Sequence, residues 1–320
     1  LDTLPMVLCG ALCVALLLDH VWGEPPVRWH PVVWMGRYLH AAAGWFAPVQ
    51  DNAPETKRVF WQGALYWSVG ALVVCTIFVL IEHLALQLPW ALAAILLGLA
   101  LKPLLSMAML CNEVAAVEEA LSLSLQLGRE RLSRLVSRPT QDLSETQVRE
   151  AAIETLAENL NDSVVSPLLW FVIGGLPAAA LYRFANTADA MWGYPGMHGG
   201  RDWQWAGKWA ARADDVLSWP GARLTALLVW CWHAKAFSWE TLREQARQTP
   251  SPNSGWPMAA FALTLGVQLS KPGAYTLHPG GQVVQRRHLA AAISLARKVL
   301  FAGVLIALAA IFLVAMLRQQ

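Results

Sequence analysis

Charge is what this 320-residue chain lacks most: Asp, Glu, Lys and Arg make up only 14% of it, against about 25% in soluble globular domains. That scarcity excludes a disordered chain and argues against an ordinary soluble enzyme. The 24 basic and 22 acidic residues leave a net charge of +2, and no basic block stands out, so no nucleic-acid partner is expected. Cysteine carries no metal or redox signal. The five, Cys9, Cys13, Cys75, Cys111 and Cys231, form no C-x-x-C pair and sit mostly in apolar runs, as small hydrophobes do in a reducing compartment. The eight histidines show no zinc-ligand spacing. A phosphate loop is absent too, because Gly207-Lys208 is followed by Trp209 and Asp202 stands where the first glycine is needed. With no period-2 run, internal repeat or low-complexity linker, the fold is expected to be all-α.

What is there is apolar length and tryptophan. Hydrophobic residues reach 56%, and 17 of the 31 aromatics are Trp, a side chain that favours membrane interfaces. Charge-free runs near the ~18-residue requirement for a spanning helix predict spans over about 3–18, 59–81, 84–101 and 299–317. The first run lacks a basic flank and a small-residue cleavage site, so it is read as a span and not as a secretory signal. Leu224–Ala234 is too short to cross and is expected to be a buried or interfacial helix. Ser163–Tyr182 is long enough, but Pro167, Gly174-Gly175 and Pro177 interrupt it, which suits a re-entrant or protein-buried pair of half-helices.

The distribution of cations decides between the two topologies. If 163–182 does not cross, 23 of the 24 Lys and Arg residues fall on one face and only Arg318 on the other; if it crosses, the split is 11 against 13. The positive-inside rule favours the first arrangement, with both termini outside and 19–58 and 102–298 in the cytoplasm. The expected architecture is one membrane-embedded domain over 1–320, with about four spanning helices plus re-entrant and buried helices.

Within the cytoplasmic part, apolar residues near a 3.6 period predict a helix over 107–136. Ser144-Glu-Thr-Gln147 predicts a capping box opening a second helix to about Leu160. That helix carries Glu150, Glu154, Glu158 and Asp162 at four-residue intervals, hence along one stripe. A solvated acidic face is one reading. The stripe runs, however, through Asn159 into an apolar segment where unpaired carboxylates are costly, so either a divalent cation such as Mg²⁺ or a ring of arginines is needed. Further polar groups recur beside apolar segments: Arg183, Asn186 and Asp189; Asp214-Asp215; Arg223; Ser251, Asn253 and Ser254 in a Pro/Ser/Asn turn able to offer amides to an anion; and His30 and Arg37 in a bend behind the first span. Taken singly, each also reads as a cap or surface pair.

In order along the chain, His30-Pro-Val-Val-Trp-Met-Gly-Arg37, Glu154-Thr-Leu-Ala-Glu-Asn-Leu-Asn-Asp162, Pro167-Leu-Leu-Trp-Phe, Gly174-Gly-Leu-Pro177, Asn186-Thr-Ala-Asp-Ala-Met191, Gly193-Tyr194, Ala211-Arg-Ala-Asp-Asp215, Pro220-Gly-Ala-Arg-Leu-Thr225 and Ser251-Pro-Asn-Ser-Gly-Trp256 resemble the cobalamin-biosynthesis CobD/CbiB family. The resemblance covers about 19–273. It implies an integral enzyme of the bacterial inner membrane, its active site facing the cytoplasm, that makes adenosylcobinamide phosphate. The implied reaction is an ATP-dependent amide ligation of aminopropanol phosphate to a propionate of adenosylcobyric acid. ATP and Mg²⁺ are then co-substrate and metal, and the corrinoid is a substrate, not a prosthetic group. The implied catalytic residues are Glu154, Glu158, Asp162 and Asp189, with Glu154, Glu158 and Asp162 as magnesium ligands. Substrate contacts fall to His30, Arg37, Asn159, Arg183, Asn186, Asp214, Asp215, Arg223, Ser251 and Asn253. Membrane lipid is a partner, as are other enzymes of the pathway or a second copy of the chain. Glu24, Pro139, Ala188, Ala190, the stretch 195–209 and Ala274-Tyr-Thr depart from the family's usual pattern, and the alternative is a non-catalytic membrane paralogue that binds a ligand or partner.

Overall fold

The structure, a computed structural model, describes residues 3–49, 56–233 and 237–318. Its helices in chain order are α1 (Leu4–Trp22), α2 (Pro31–Phe46), α3 (Thr56–Ala85), α4 (Trp90–Leu101), α5 (Met107–Leu123), α6 (Leu125–Leu132), α7 (Glu145–Leu160), α8 (Ser166–Trp192), α9 (Lys208–Trp232), α10 (Trp239–Ala246), α11 (Gly255–Leu265) and α12 (Arg286–Arg318). A π-helical turn, Asn161–Val165, joins α7 to α8. Two small antiparallel ribbons, β1 (Met197–His198) with β2 (Arg201–Asp202) and β3 (Leu269–Lys271) with β4 (Tyr275–Leu277), complete the described fold. The protein is therefore all-α and polytopic in character, as its patterning predicts.

Five stretches are long and apolar enough to cross a membrane by length and composition: Leu4–Trp22, Thr56–Ala85, Trp90–Leu123, Glu145–Trp192 and Arg286–Val314. Four of them contain or overlap the predicted spans, and the fifth contains 163–182. Within that fifth stretch α8 is broken where the glycines predict, at Gly174 (φ −140°, ψ 25°) and Gly175 (φ 68°, ψ −160°). Pro177 causes no loss just after the break, because the first amides of a helix have no intrahelical acceptor.

Several boundaries differ from expectation. The run over 84–101 is not one helix: α3 continues to Ala85, a turn follows, and α4 starts after Pro89. The helix predicted over 107–136 divides at Ser124, whose extended backbone (φ −164°) lets its hydroxyl accept from Leu127 N at 3.2 Å and cap α6. Leu224–Ala234 is not a separate short helix. It is the C-terminal part of the 25-residue α9, with Ala234 itself outside the described residues. The ribbons were invisible to patterning because each strand has only two or three residues.

The chain groups into two compact units, each built from separate stretches: Leu1–Ser106, Ser166–Ser218 and Ala307–Gln320 in one, Met107–Val165 and Trp219–Ile306 in the other. In the first unit α1 packs on α4 and α3 on α8. The α1/α4 approach is tight because Gly10 faces Ala94 and Gly98 faces Val14, each leaving no room for a β-carbon, the small-residue device by which membrane helices gain dispersion contacts. Lys102, beyond α4, is buried and lies 3.0 Å from both Asp19 Oδ1 and Glu24 Oε1, while His30 Nε2 lies 3.1 Å from Glu24 Oε2. Some tryptophans are core residues: Trp192 and Trp203 are buried, stack at 6.1 Å, and meet Phe46 edge-on. Others, such as Trp22, Trp29, Trp61 and Trp90, are exposed on or beside apolar helices, where interfacial placement is expected. In the second unit α5 packs on α6 and α7, and α7 also contacts α11 and β3.

Candidate functional site

The site is built on α7. Both halves of the predicted capping box form: Ser144 Oγ accepts from Gln147 N at 3.3 Å, and Gln147 Oε1 accepts from Ser144 N at 2.8 Å. This fixes the start of the helix, hence the direction of Glu150, Glu154 and Glu158. The solvated-face reading fails, since Glu150 and Glu154 are only 4% and 5% exposed. Their repulsion is answered by protein donors. Glu150 Oε2 accepts from Ser270 N at 2.9 Å and from Ser270 Oγ at 2.5 Å. Glu154 Oε2 accepts from Arg138 Nη2 at 2.9 Å. On α7 as well, Arg149 makes a two-point contact with Glu118 of α5 at 2.7 and 2.8 Å and reaches Glu145 at 2.6 Å.

Arg138 and Glu154 share a 150 Å³ cavity with Glu158, Asn159, Lys271 and Tyr275, walled also by 135–137 and Thr155. Its lining is predominantly polar. Glu154 Oε1 and Arg138 Nη1 are buried and make no hydrogen bond of good geometry among the described residues. The Tyr275 phenol is near enough to Glu154 to sense its charge; burial first, and then that carboxylate, push its pKa well above the ordinary phenol value, so it is neutral at physiological pH. Asn159 Nδ2 donates to Thr155 O at 3.0 Å. The cavity therefore presents two cations, two carboxylates and a neutral phenol in a space suited to a small zwitterion.

Asp162 lies in the π turn, which re-phases the stripe just beyond α7, and accepts from Asn161 Nδ2 at 2.7 Å. Asn161 Oδ1 in turn accepts from Thr225 Oγ1 at 3.3 Å. π turns of this kind recur at functional sites. No group of three or more His, Cys, Asp or Glu residues gathers to hold a metal ion among the described residues, and Glu154 is engaged by Arg138. Arg138 donates to Glu154, and the Ser270 amide and hydroxyl donate to Glu150.

The remaining predicted residues fall into separate clusters. In the second unit, Arg223 lies over the rings of both Trp219 (4.8 Å) and Trp256 (4.9 Å), and donates to Asn253 Oδ1 and, at 2.9 Å, to Pro252 O. Ser251 Oγ accepts from Asn253 N and Ser254 N, both at 3.2 Å. The amides expected to face an anion are thus turned onto Ser251, and the loop anchors Arg223 instead. In the first unit, Arg183 Nη1 donates to Asn186 Oδ1 at 3.2 Å on α8. Asp189 closes over the end of that helix so tightly that Gly193 has no room for a β-carbon. Asp214 accepts from Ser218 Oγ at 3.2 Å, and Ser218 lies 3.1 Å from the Tyr182 hydroxyl. Burial raises the Asp215 pKa, against the opposing pull of Arg212 and Lys208. His30 is held by Glu24, and Arg37 is exposed on α2. Arg138, Lys271 and Tyr275 were not anticipated as site residues; they join the cavity through contacts distant in sequence.

The sequence model of the CobD/Cbib protein family matches residues 12–300. A probable cobalamin biosynthesis protein CobD of Methanothermobacter thermautotrophicus is 40% identical over 84% of this chain and 86% of its own length. The cobalamin biosynthesis protein CobD of Chromobacterium violaceum is 40% identical over 82% of each chain, and a probable CobD of Pyrococcus abyssi is 38% identical over 85% of each. No solved structure shows significant similarity to the chain. With motifs in the family's order and similarity across most of its length, the chain belongs to the CobD/CbiB family.

Proposed function

We propose that the protein is adenosylcobinamide-phosphate synthase, acting in cobalamin biosynthesis. It would join aminopropanol phosphate to the free propionate of adenosylcobyric acid at the expense of ATP, on the cytoplasmic face of the bacterial inner membrane. Family membership supplies the pathway. The observation that carries the reaction is the cavity of Arg138, Glu154, Glu158, Lys271 and Tyr275. At 150 Å³ it falls below the ~300–1,000 Å³ of drug-sized ligand pockets, too small for a corrinoid but in keeping with a short amino-alcohol phosphate. Arg138 and Lys271 match its phosphate, and Glu154 and Glu158 match its ammonium.

Amide formation needs an activated carboxylate and a neutral amine. ATP activates the propionate by transferring its γ-phosphoryl group, giving an acyl phosphate and ADP. The amine must lose a proton before it attacks the acyl carbon and expels phosphate, and the buried Glu154 carboxylate is the group placed to accept that proton. Magnesium would arrive with the nucleotide phosphates, which with water commonly supply most of its ligands; Glu158 and Asp162 are the nearby carboxylates offered to it in this reading. The test is ATP turnover by the purified protein, measured with corrinoid and amino-alcohol phosphate supplied separately and together. Turnover that requires both supports the ligase. Saturable binding of the amino-alcohol phosphate without any turnover would identify the non-catalytic paralogue.

A further inference from the structure

A second cavity, of 360 Å³, lies within the first unit between α2, α3 and α4. Its walls are almost wholly apolar, from Met35, Val74, Phe78, Leu99 and Phe184 among others. Two of its polar aromatic residues already have their donors engaged. Trp34 Nε1 donates to Arg28 O at 2.9 Å, and the Tyr38 hydroxyl donates to Tyr66 O at 2.7 Å. The cavity therefore has little with which to orient a polar ligand. It is more than twice the roughly 150 Å³ that accommodates one benzene molecule.

Two features bear on what it could hold. Val73 and Ile77, which line it, are about half exposed on α3, and α3 is long and apolar enough to cross a membrane. The cavity thus opens onto an exposed apolar side of that helix, the side that would face hydrocarbon if α3 spans. At another edge stand Trp29 and Trp34, both exposed, with the Arg28 guanidinium 5.8 Å from the Trp29 ring. Indole rings with a neighbouring cation mark the headgroup level of a bilayer.

We propose that this cavity holds one acyl chain of an anionic membrane phospholipid, its headgroup paired with Arg28. The site is independent of the ligase reading and is tested without any activity measurement. Purified protein is stripped in detergent, incubated with phosphatidylglycerol or phosphatidylcholine, and its retained lipid counted by native mass spectrometry. Wild type should retain one phosphatidylglycerol and prefer it over phosphatidylcholine. Ala100→Phe, which fills the cavity, should lose the retained lipid, and Ile77→Trp repeats the test from the facing wall should Ala100→Phe fail to fold. Arg28→Gln should keep the chain but lower the preference for phosphatidylglycerol about fivefold, the effect of one interfacial cation. Leu72→Phe, on the exposed side of α3 and outside the cavity, should change nothing. Retention of lipid by a folded cavity-filled variant, or equal loss in Leu72→Phe, would mean annular lipid only and overturn the proposal; an unchanged preference in Arg28→Gln would overturn the headgroup contact.

Discussion

Arg138 closes on Glu154 at 2.9 Å, a pair with a buried carboxylate and a half-buried guanidinium, whose remaining Nη1 and Oε1 atoms have no good hydrogen bond among the described residues. Removing Arg138 strands the buried Glu154 charge, at a cost below the roughly 3–5 kcal/mol of a fully buried pair because the guanidinium side is only half-buried. Arg138→Ala should therefore lower the unfolding midpoint in detergent as well as abolish ligation. The Arg138→Met/Glu154→Leu double variant should regain most of that stability, since apolar replacement of a buried pair is often neutral, yet remain inactive. Activity in the double variant would show that the pair is structural only.

The helix break in α8 is held from outside. Glu82 Oε2 accepts from Leu176 N at 2.7 Å, giving the second half-helix a carboxylate at its N-terminus, where negative charge is favoured. Gly175 has φ 68° and ψ −160°, and a β-carbon there would lie 2.5 Å from Glu82 Oε2. Backbone strain alone makes Gly175→Ala destabilising by about 1–3 kcal/mol, and displacement of Glu82 adds to it. Glu82→Gln keeps an acceptor and should be milder than Glu82→Leu. Thermal unfolding of the three variants in one detergent checks that order.

Legibility followed locality. The capping box at Ser144 and the Gly174-Gly175 break were readable because a few neighbouring residues determine each, and the glutamate spacing was readable because helix geometry depends only on sequence interval. The division at Ser124 was hidden, since the apolar period continues across it and only a backbone turn with its side-chain cap reveals it. The cavity was half legible. Glu154, Glu158 and Asn159 come from one motif, but Tyr275 and Lys271 are more than 100 residues away in sequence, and no local pattern announces that β3 and β4 face α7. Ser251 and Asn253 show the converse: polar turn residues suited to a ligand can be consumed by their own loop.

Glu24, beside Lys102 and His30, gives a pH dependence with a definite sign. Burial raises the Glu24 pKa, but the His30 hydrogen bond and the Lys102 charge outweigh it and leave the value lowered. A depressed carboxylate pKa contributes stability that is fully present above its unfolded value of about 4.3 and is lost as pH falls through the folded value. Acid unfolding of wild type should therefore contain a Glu24 contribution that Glu24→Gln lacks. At neutral pH the same variant should be less stable by about 1.5–3 kcal/mol, the range for hydrogen bonds to charged groups. Parallel acid-unfolding curves would show that Glu24 does not titrate with folding.

Membrane topology is the prediction with the widest consequence, because ATP is supplied from the cytoplasm. If 163–182 does not cross, residues 102–298 share one face with 19–58, and 23 of the 24 cations lie there. The broken α8, with its Glu82-capped second half, is the kind of segment that enters a membrane protein without spanning it. In a background with the five native cysteines replaced, cysteines at Met197, 56% exposed, and at Gly280, where a β-carbon meets nothing within 4 Å, should not react with a membrane-impermeant maleimide in intact cells. Both should react once the membrane is permeabilised. A cysteine at Gln87, in the exposed turn between α3 and α4, should react in intact cells and so proves that the reagent reaches the outer face. Labelling at 197 and 280 in intact cells would mean that 163–182 crosses, an outcome incompatible with the cavity that Lys271 and Tyr275 share with Arg138, and would overturn the site as well as the topology.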